Sequence, residues 1–158
     1  CRVQVNRVFV TSTTYQANLG GLAGADAKCQ AAANSAGLAG TWKAWLSDST
    51  ASAASRLNHS PYPYRRLDNV EIAPNWTGFA SASHAAPMSL NEFGNDVGNA
   101  EVWTGSGPSG TGSGGCSNFM SADPGGSYPA MGIATFINAG WSSVYLNYSD
   151  RFARLYCI

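Results

Sequence analysis

The 158-residue sequence predicts one α+β domain, residues 1–158, built from a helix, short strands and long ordered loops. Three observations carry that expectation. Between Leu22 and Ala36 the apolar residues Leu22, Ala25, Cys29, Ala32, Ala33 and Ala36 fall on one helical face, with Asp26, Gln30 and Asn34 on another. The two ends of the chain, Arg7–Thr11 and Phe152–Ile158, have strand character. Between them, Ser47 to Ala100 carries Pro61, Pro63, Pro74 and Pro87 among scattered Asn and Ser without a sustained period, which is the composition of ordered loops.

Each element has its local reason. Arg7-Val8-Phe9-Val10-Thr11 is a β-prone run closed by Ser12-Thr13-Thr14. Gly37 and Gly40 stop the helix, and Thr41-Trp42-Lys43-Ala44-Trp45-Leu46 then alternates like a strand. Val102-Trp103-Thr104 reads as another strand, followed by Gly105–Gly115, a flexible loop by composition. In the last strand Ala153, Leu155 and Cys157 face a core, opposite Phe152, Arg154, Tyr156 and Ile158. A chain of this length buries roughly two thirds of its unfolded surface, and five Trp, seven Tyr and six Phe supply a packed interior. Trp45 and Trp103 belong to that interior.

Composition removes several classes of function. Nine basic and nine acidic side chains cancel, so the basic excess expected of a nucleic-acid binder is missing. No apolar run is long enough to span a bilayer as a helix. No Gly-x-Ser-x-Gly, His-Glu-x-x-His or phosphate-cradling glycine motif occurs, so no catalytic roles assemble and a non-enzyme is expected. Cys1 at the start is the expectation of a cleaved secretory signal. Four cysteines without CxxC spacing, beside only His59 and His84, favour disulfides over zinc and an exported chain. Cys29 on the buried helix face and Cys157 on the inner face of the last strand suggest one bridge, although four cysteines allow three pairings.

Five separated motifs carry a family resemblance. Ala36-Gly37-Leu38-Ala39-Gly40-Thr41-Trp42-Lys43-Ala44-Trp45-Leu46-Ser47, Arg65-Arg66-Leu67-Asp68, Val102-Trp103-Thr104-Gly105-Ser106, Cys116-Ser117-Asn118-Phe119 and Leu155-Tyr156-Cys157-Ile158 resemble, in order, segments of endostatin, the C-terminal domain of collagens XV and XVIII. Val8–Tyr15 and Asn18-Leu19-Gly20-Gly21 are more similar still to bacterial endostatin-like proteins of the leptospiral surface type. The resemblance implies a C-type lectin-like fold in which the terminal strands pair, two helices flank the sheets and long loops form the variable surface. It also implies an extracellular role, because endostatin binds heparan sulfate and zinc, and the bacterial relatives bind host matrix and plasma proteins. The expected function is a secreted or cell-surface, adhesin-like module that recognises a matrix protein or glycan through its loops. A structural subunit of an extracellular filament, with self-association, and a calcium-dependent lectin are the alternatives.

The resemblance also exposes departures. In endostatin the counterpart of Cys116 pairs with a cysteine a few residues before the last, but Tyr148-Ser149-Asp150-Arg151-Phe152 contains none. That leaves Cys1 bonded to Cys116 within a chain, bonded between chains, or lipidated as the first residue of a bacterial lipoprotein. The His-rich N-terminus that supports zinc in endostatin is missing, as are the Glu-Pro-Asn and Trp-Asn-Asp motifs of calcium-dependent lectins. The nearest oxygen cluster for calcium is Glu92, Asn95 and Asp96, which a hydrogen-bonded turn explains equally well. Candidate ligand contacts are Arg65 and Arg66 with the neighbouring Tyr62 and Tyr64, and the aromatic residues Trp76, Trp141, Tyr145 and Tyr148 of less regular segments. Asn58, Asn75 and Asn147 lie in N-x-S/T sequons, acceptors only in a eukaryotic secretory pathway.

Overall fold

The computed structural model describes residues 4–158. Strand β1 covers Asn6–Val10 and helix α1 covers Gly21–Ser35, both close to their predicted positions. Ala25, Cys29 and Ala33 are buried while Leu22, Ala32 and Ala36 are half-buried, so the apolar face is the packed one. The remaining elements are short. They are α2 (Ala53–Arg56), β2 (Tyr64–Arg66), β3 (Glu71–Ala73), α3 (Trp76–Phe79), β4 (Glu101–Trp103), β5 (Ala130–Ile133), β6 (Tyr145–Leu146) and β7 (Tyr156–Cys157).

The strands form two sheets in an α+β arrangement, β3-β2-β1-β7 and β4-β5-β6. The termini meet as expected: β1 pairs antiparallel with β7, Phe9 opposite Cys157 and Val10 opposite Tyr156. On its other side β1 runs parallel to β2. Cys29 and Cys157 are joined by a disulfide across 128 residues of sequence, which staples α1 to the last strand. Closing a loop of that length stabilises the fold by about 4 kcal/mol in the chain-entropy account.

β1 and β7 serve two cores at once. Phe9 and Cys157 join a cluster with Leu19, Ala25, Cys29, Trp103, Phe119 and Leu155. Val8, Val10 and Tyr156 join a second with Trp45, Tyr64, Phe79, Met88 and Trp141. The expectation that only one face of the last strand meets a core is therefore corrected: Tyr156, on the other face, is fully buried and donates its hydroxyl to the Trp141 carbonyl at 2.8 Å.

Four further expectations are corrected. Thr41–Leu46 is extended and joins the β7 edge through Lys43–Ile158 and Trp45–Tyr156 hydrogen bonds, but only Ala44 forms a bridge there. Segment 47–100 holds two single-turn helices and the β2–β3 pair as well as loops, because three-residue strands are too short to print a period. Among the described residues α1 is the only helix longer than one turn, against the expected two. Gly105–Gly115 is close-packed, not free: a side chain at Gly112 would collide with the Gly105 carbonyl, and one at Gly114 with the Asp48 backbone. Ser106 inside this loop is buried and shares a 2.5 Å hydrogen bond with Ser47.

The Cys116–Phe119 segment is a left-handed turn, with φ between 50° and 59° at Cys116, Ser117, Asn118 and Phe119. Non-glycine residues resist this region because Cβ crowds the following carbonyl. Burial of Cys116 and Phe119 in the first core holds the turn, and Asn118 clamps Ser49 through both its amide oxygen and nitrogen, at 3.1 and 2.7 Å.

Candidate binding surface

Apart from Arg65 and Arg66, the predicted contact residues divide into three groups. Tyr64 and Trp141 are corrected first: both are buried, so neither belongs to a surface. Trp141 stacks among Trp45, Phe79 and His84 and donates its indole N–H to the Ser81 carbonyl at 2.7 Å. Tyr64 stacks on Phe79 at 4.4 Å between ring centroids. Its hydroxyl donates to the Asn58 carbonyl at 3.1 Å, and burial raises its pKa above that of a free tyrosine.

Arg65 and Arg66 are engaged in local ion pairs. Arg66 grips Asp68 with two N–H donors at 3.1 and 2.6 Å, and these hydrogen bonds hold the Asp68 carboxyl below the ordinary carboxylate range. Arg65 meets Glu71 at 3.5 Å. The two guanidinium forks therefore do not form one open anion site.

The second group is a groove around residues 58–62. Tyr64 and Ser60 anchor this loop, with the Ser60 hydroxyl accepting the Tyr62 N–H at 3.2 Å. Tyr62 itself is 45% exposed. Next to it Trp76 sits half-buried at the start of α3, where the Asn75 side chain caps the helix by accepting the Gly78 N–H at 3.0 Å. His59 lies flat on Trp76, centroids 4.2 Å apart and planes within 9°, and its Nε2 donates to the Ala54 carbonyl at 2.6 Å. Two recesses meet at Ser60 and Pro61. One, about 640 Å³, runs past Asn6, Asn58 and Tyr62; the other, about 380 Å³, is lined by His59, Asn75, Trp76 and Thr77. Aromatic rings, amides and hydroxyls on a hydrogen-bonded loop can stack on and hydrogen-bond a polar ligand. His59, Pro61 and Thr77 were not among the predicted contacts; the Trp-Thr pair and the proline-rich run next to Tyr62 were the only local signals.

Tyr145 and Tyr148 form the third group, on the opposite sheet. Tyr148 packs edge-on against Tyr128 at 5.0 Å, and the Tyr145 hydroxyl donates to Glu101. Desolvation and that carboxylate push the Tyr145 pKa up to about 12.

The calcium candidates point to separate partners. Glu92 is buried and takes the Ser12 N–H at 2.8 Å and the Ser12 hydroxyl at 2.5 Å. Asp96 accepts from Ser89 at 3.0 Å and from the Gly98 N–H at 2.7 Å, while Asn95 contributes its backbone to the Asn91 turn. Among the described residues no group of three or more His, Cys, Asp or Glu side chains gathers for a metal. Of the sequon residues, Asn58 is exposed, Asn75 caps α3, and Asn147 is half-buried with its side-chain oxygen on the Tyr148 N–H. Cys116 is buried without a disulfide among the described residues, its thiol pKa raised to about 11 by desolvation; Cys1 lies outside the described residues.

Fold and surface together define a disulfide-stapled α+β module whose exposed chemistry is a polar aromatic groove. A family model described as a protein of unknown function, DUF1554, matches residues 12–136. The chain belongs to that family. No curated protein matches it.

Proposed function

We propose that this chain is an exported, non-catalytic binding module of endostatin-like, C-type lectin-like architecture that recognises an extracellular matrix protein or glycan. The observation that carries the reading is the groove at Ser60–Pro61, where Tyr62, His59, Trp76 and polar Asn and Thr side chains surround about 640 and 380 Å³ of adjoining space. Sugar rings and extended polypeptides are both held by aromatic faces with amide and hydroxyl neighbours. A disulfide that staples the fold supports export, since such bonds persist in oxidising compartments. The paired terminal strands and the order of the endostatin-like motifs support the fold assignment.

Titration calorimetry against heparan sulfate and a panel of purified matrix proteins tests the reading. Binding is expected for at least one ligand, with Tyr62→Ala and His59→Ala each weakening it about tenfold, the order of a lost aromatic contact. Isotherms that stay flat for the whole panel, or an affinity indifferent to both substitutions, sink it.

A further inference from the structure

We infer that the ligand of the groove at Ser60–Pro61 is a proline-rich polypeptide in the polyproline II conformation. The inference rests on the binding role proposed for that groove and names the class of ligand. Its starting point is an unused donor. Four of the five tryptophans give their indole N–H to a partner within the chain: Trp42 to the Ala39 carbonyl, Trp45 to the Ser142 hydroxyl, Trp103 to the Tyr15 carbonyl and Trp141 to the Ser81 carbonyl. The Trp76 indole has none among the described residues. The buried polar side-chain atoms left without a partner there are Arg65 Nε and His84 Nδ1, so the Trp76 N–H is open to solvent. A second donor stands beside it. Asn75 Oδ1 takes the Gly78 N–H at 3.0 Å, which fixes the orientation of the amide and leaves its NH2 group to donate. Trp76 and Asn75 both line the recess of about 380 Å³.

The walls narrow the choice of ligand. Arg7 is the only Lys, Arg, Asp or Glu side chain lining either recess, and its guanidinium is given to the Arg66 and Leu67 carbonyls at 3.5 and 3.1 Å. A charged ligand finds no free counter-ion there. A glycan brings many hydroxyl donors, but the recesses hold no carboxylate to accept them, and the Asn75 oxygen is already used. A peptide added as a β-strand needs a free sheet edge, whereas β1, the strand at the groove, lies inside its sheet between β2 and β7. A polyproline II chain is the complement. It has no internal hydrogen bonds, its carbonyls face outward as acceptors, and its prolines carry no N–H in need of an acceptor. Such chains dock on aromatic-lined grooves. Here the exposed rings of His59, Pro61 and Tyr62 accompany Trp76.

The groove is also held in place by its own bonds. The Ser60 carbonyl accepts the Trp76 backbone N–H at 2.9 Å, which ties the loop to α3. The Asn58 carbonyl accepts both the Ser60 N–H and the Tyr64 hydroxyl at 3.1 Å. Pro61 and Pro63 each fix a backbone torsion of the loop. A stiff ligand on a stiff loop loses little freedom on binding.

Titration calorimetry of the intact chain with acetylated decaproline amide, beside a Gly-Ser peptide of the same length, tests the inference. Decaproline is expected to bind, and the Gly-Ser peptide to bind at least about tenfold more weakly. In a nitrogen–proton correlation spectrum the Trp76 indole signal should move on binding while the other four indole signals stay in place. Trp76→Phe keeps a ring and removes the donor, and should weaken decaproline binding about three- to tenfold. Tyr62→Ala, at an exposed position, should weaken it about tenfold and serves if Trp76→Phe does not fold. A flat decaproline isotherm overturns the inference. If heparan sulfate or a matrix protein then still binds and depends on Tyr62, the binding role of the groove stands without it; flat isotherms for every ligand remove both. Equal affinity for the two peptides, or decaproline binding indifferent to both substitutions, also overturns it.

Discussion

The Cys116 thiol lies against the Ser149 hydroxyl in a site closed to solvent, joining the left-handed turn to the segment before the last strand. Ser149→Cys is expected to bond to Cys116 and close a loop of 33 residues' separation. The added stability is up to about 3 kcal/mol in the chain-entropy account. A non-reducing peptide map reads the bond directly, and denaturant melts read the gain. Two free thiols in the purified variant would refute the placement.

The left-handed turn stores backbone strain at Ser117, which is exposed and has φ of 52°. Ser117→Gly removes the Cβ that crowds the carbonyl while adding unfolded-state entropy, and the first effect is larger. The variant should gain about 0.5–1 kcal/mol and melt a few degrees higher. A lower melting temperature by calorimetry would mean that the turn is not strained.

His84 is a pH-sensitive weak point. Burial lowers its pKa below 6.5, the Phe79 carbonyl opposing only in part, and Nδ1 is buried without a partner among the described residues. The folded state thus binds its proton less readily than the unfolded state. Stability from this residue is complete above the unfolded value and is lost as pH falls from there through the lower folded value. The melting temperature should decline as the pH falls below the ordinary histidine value of about 6.5. His84→Gln should flatten that slope, whatever its effect on stability at neutral pH. Equal slopes for variant and wild type would assign the decline to other groups.

Removing the staple should be costly. Cys29→Ala together with Cys157→Ala is expected to lose about 4 kcal/mol, to which small cavities in the first core add. Urea melts of the variant against the oxidised wild type measure the difference. A loss under about 1 kcal/mol would mean that the bond adds little beyond the packing of α1 on β7.

The legible parts of this protein are those whose signal is local. Helix α1 was readable because six small apolar residues recur at helical spacing, and the Cys29–Cys157 bond followed because each cysteine sits on the inward side of its own element. β1 and β4 were readable from β-branched and aromatic runs. The binding surface was only partly so. Tyr62 and Trp76 do flank one groove, but Tyr64 and Trp141, chosen on the same grounds, are core residues. What covers them is distant in sequence: Trp141 is enclosed by Trp45, Phe79, His84 and Tyr156, drawn from four segments.

By itself, then, the sequence determined the α+β class and the position of the long helix and pointed to a bond between Cys29 and Cys157, since periodicity and residue chemistry act over a few neighbouring positions. Tertiary structure alone decided which aromatic rings face solvent and that the glycine run is packed against Asp48 and Ser47. The physical reason is that burial depends on long-range partners. An exposed ring and a buried one carry the same local sequence signal until the chain has closed around one of them.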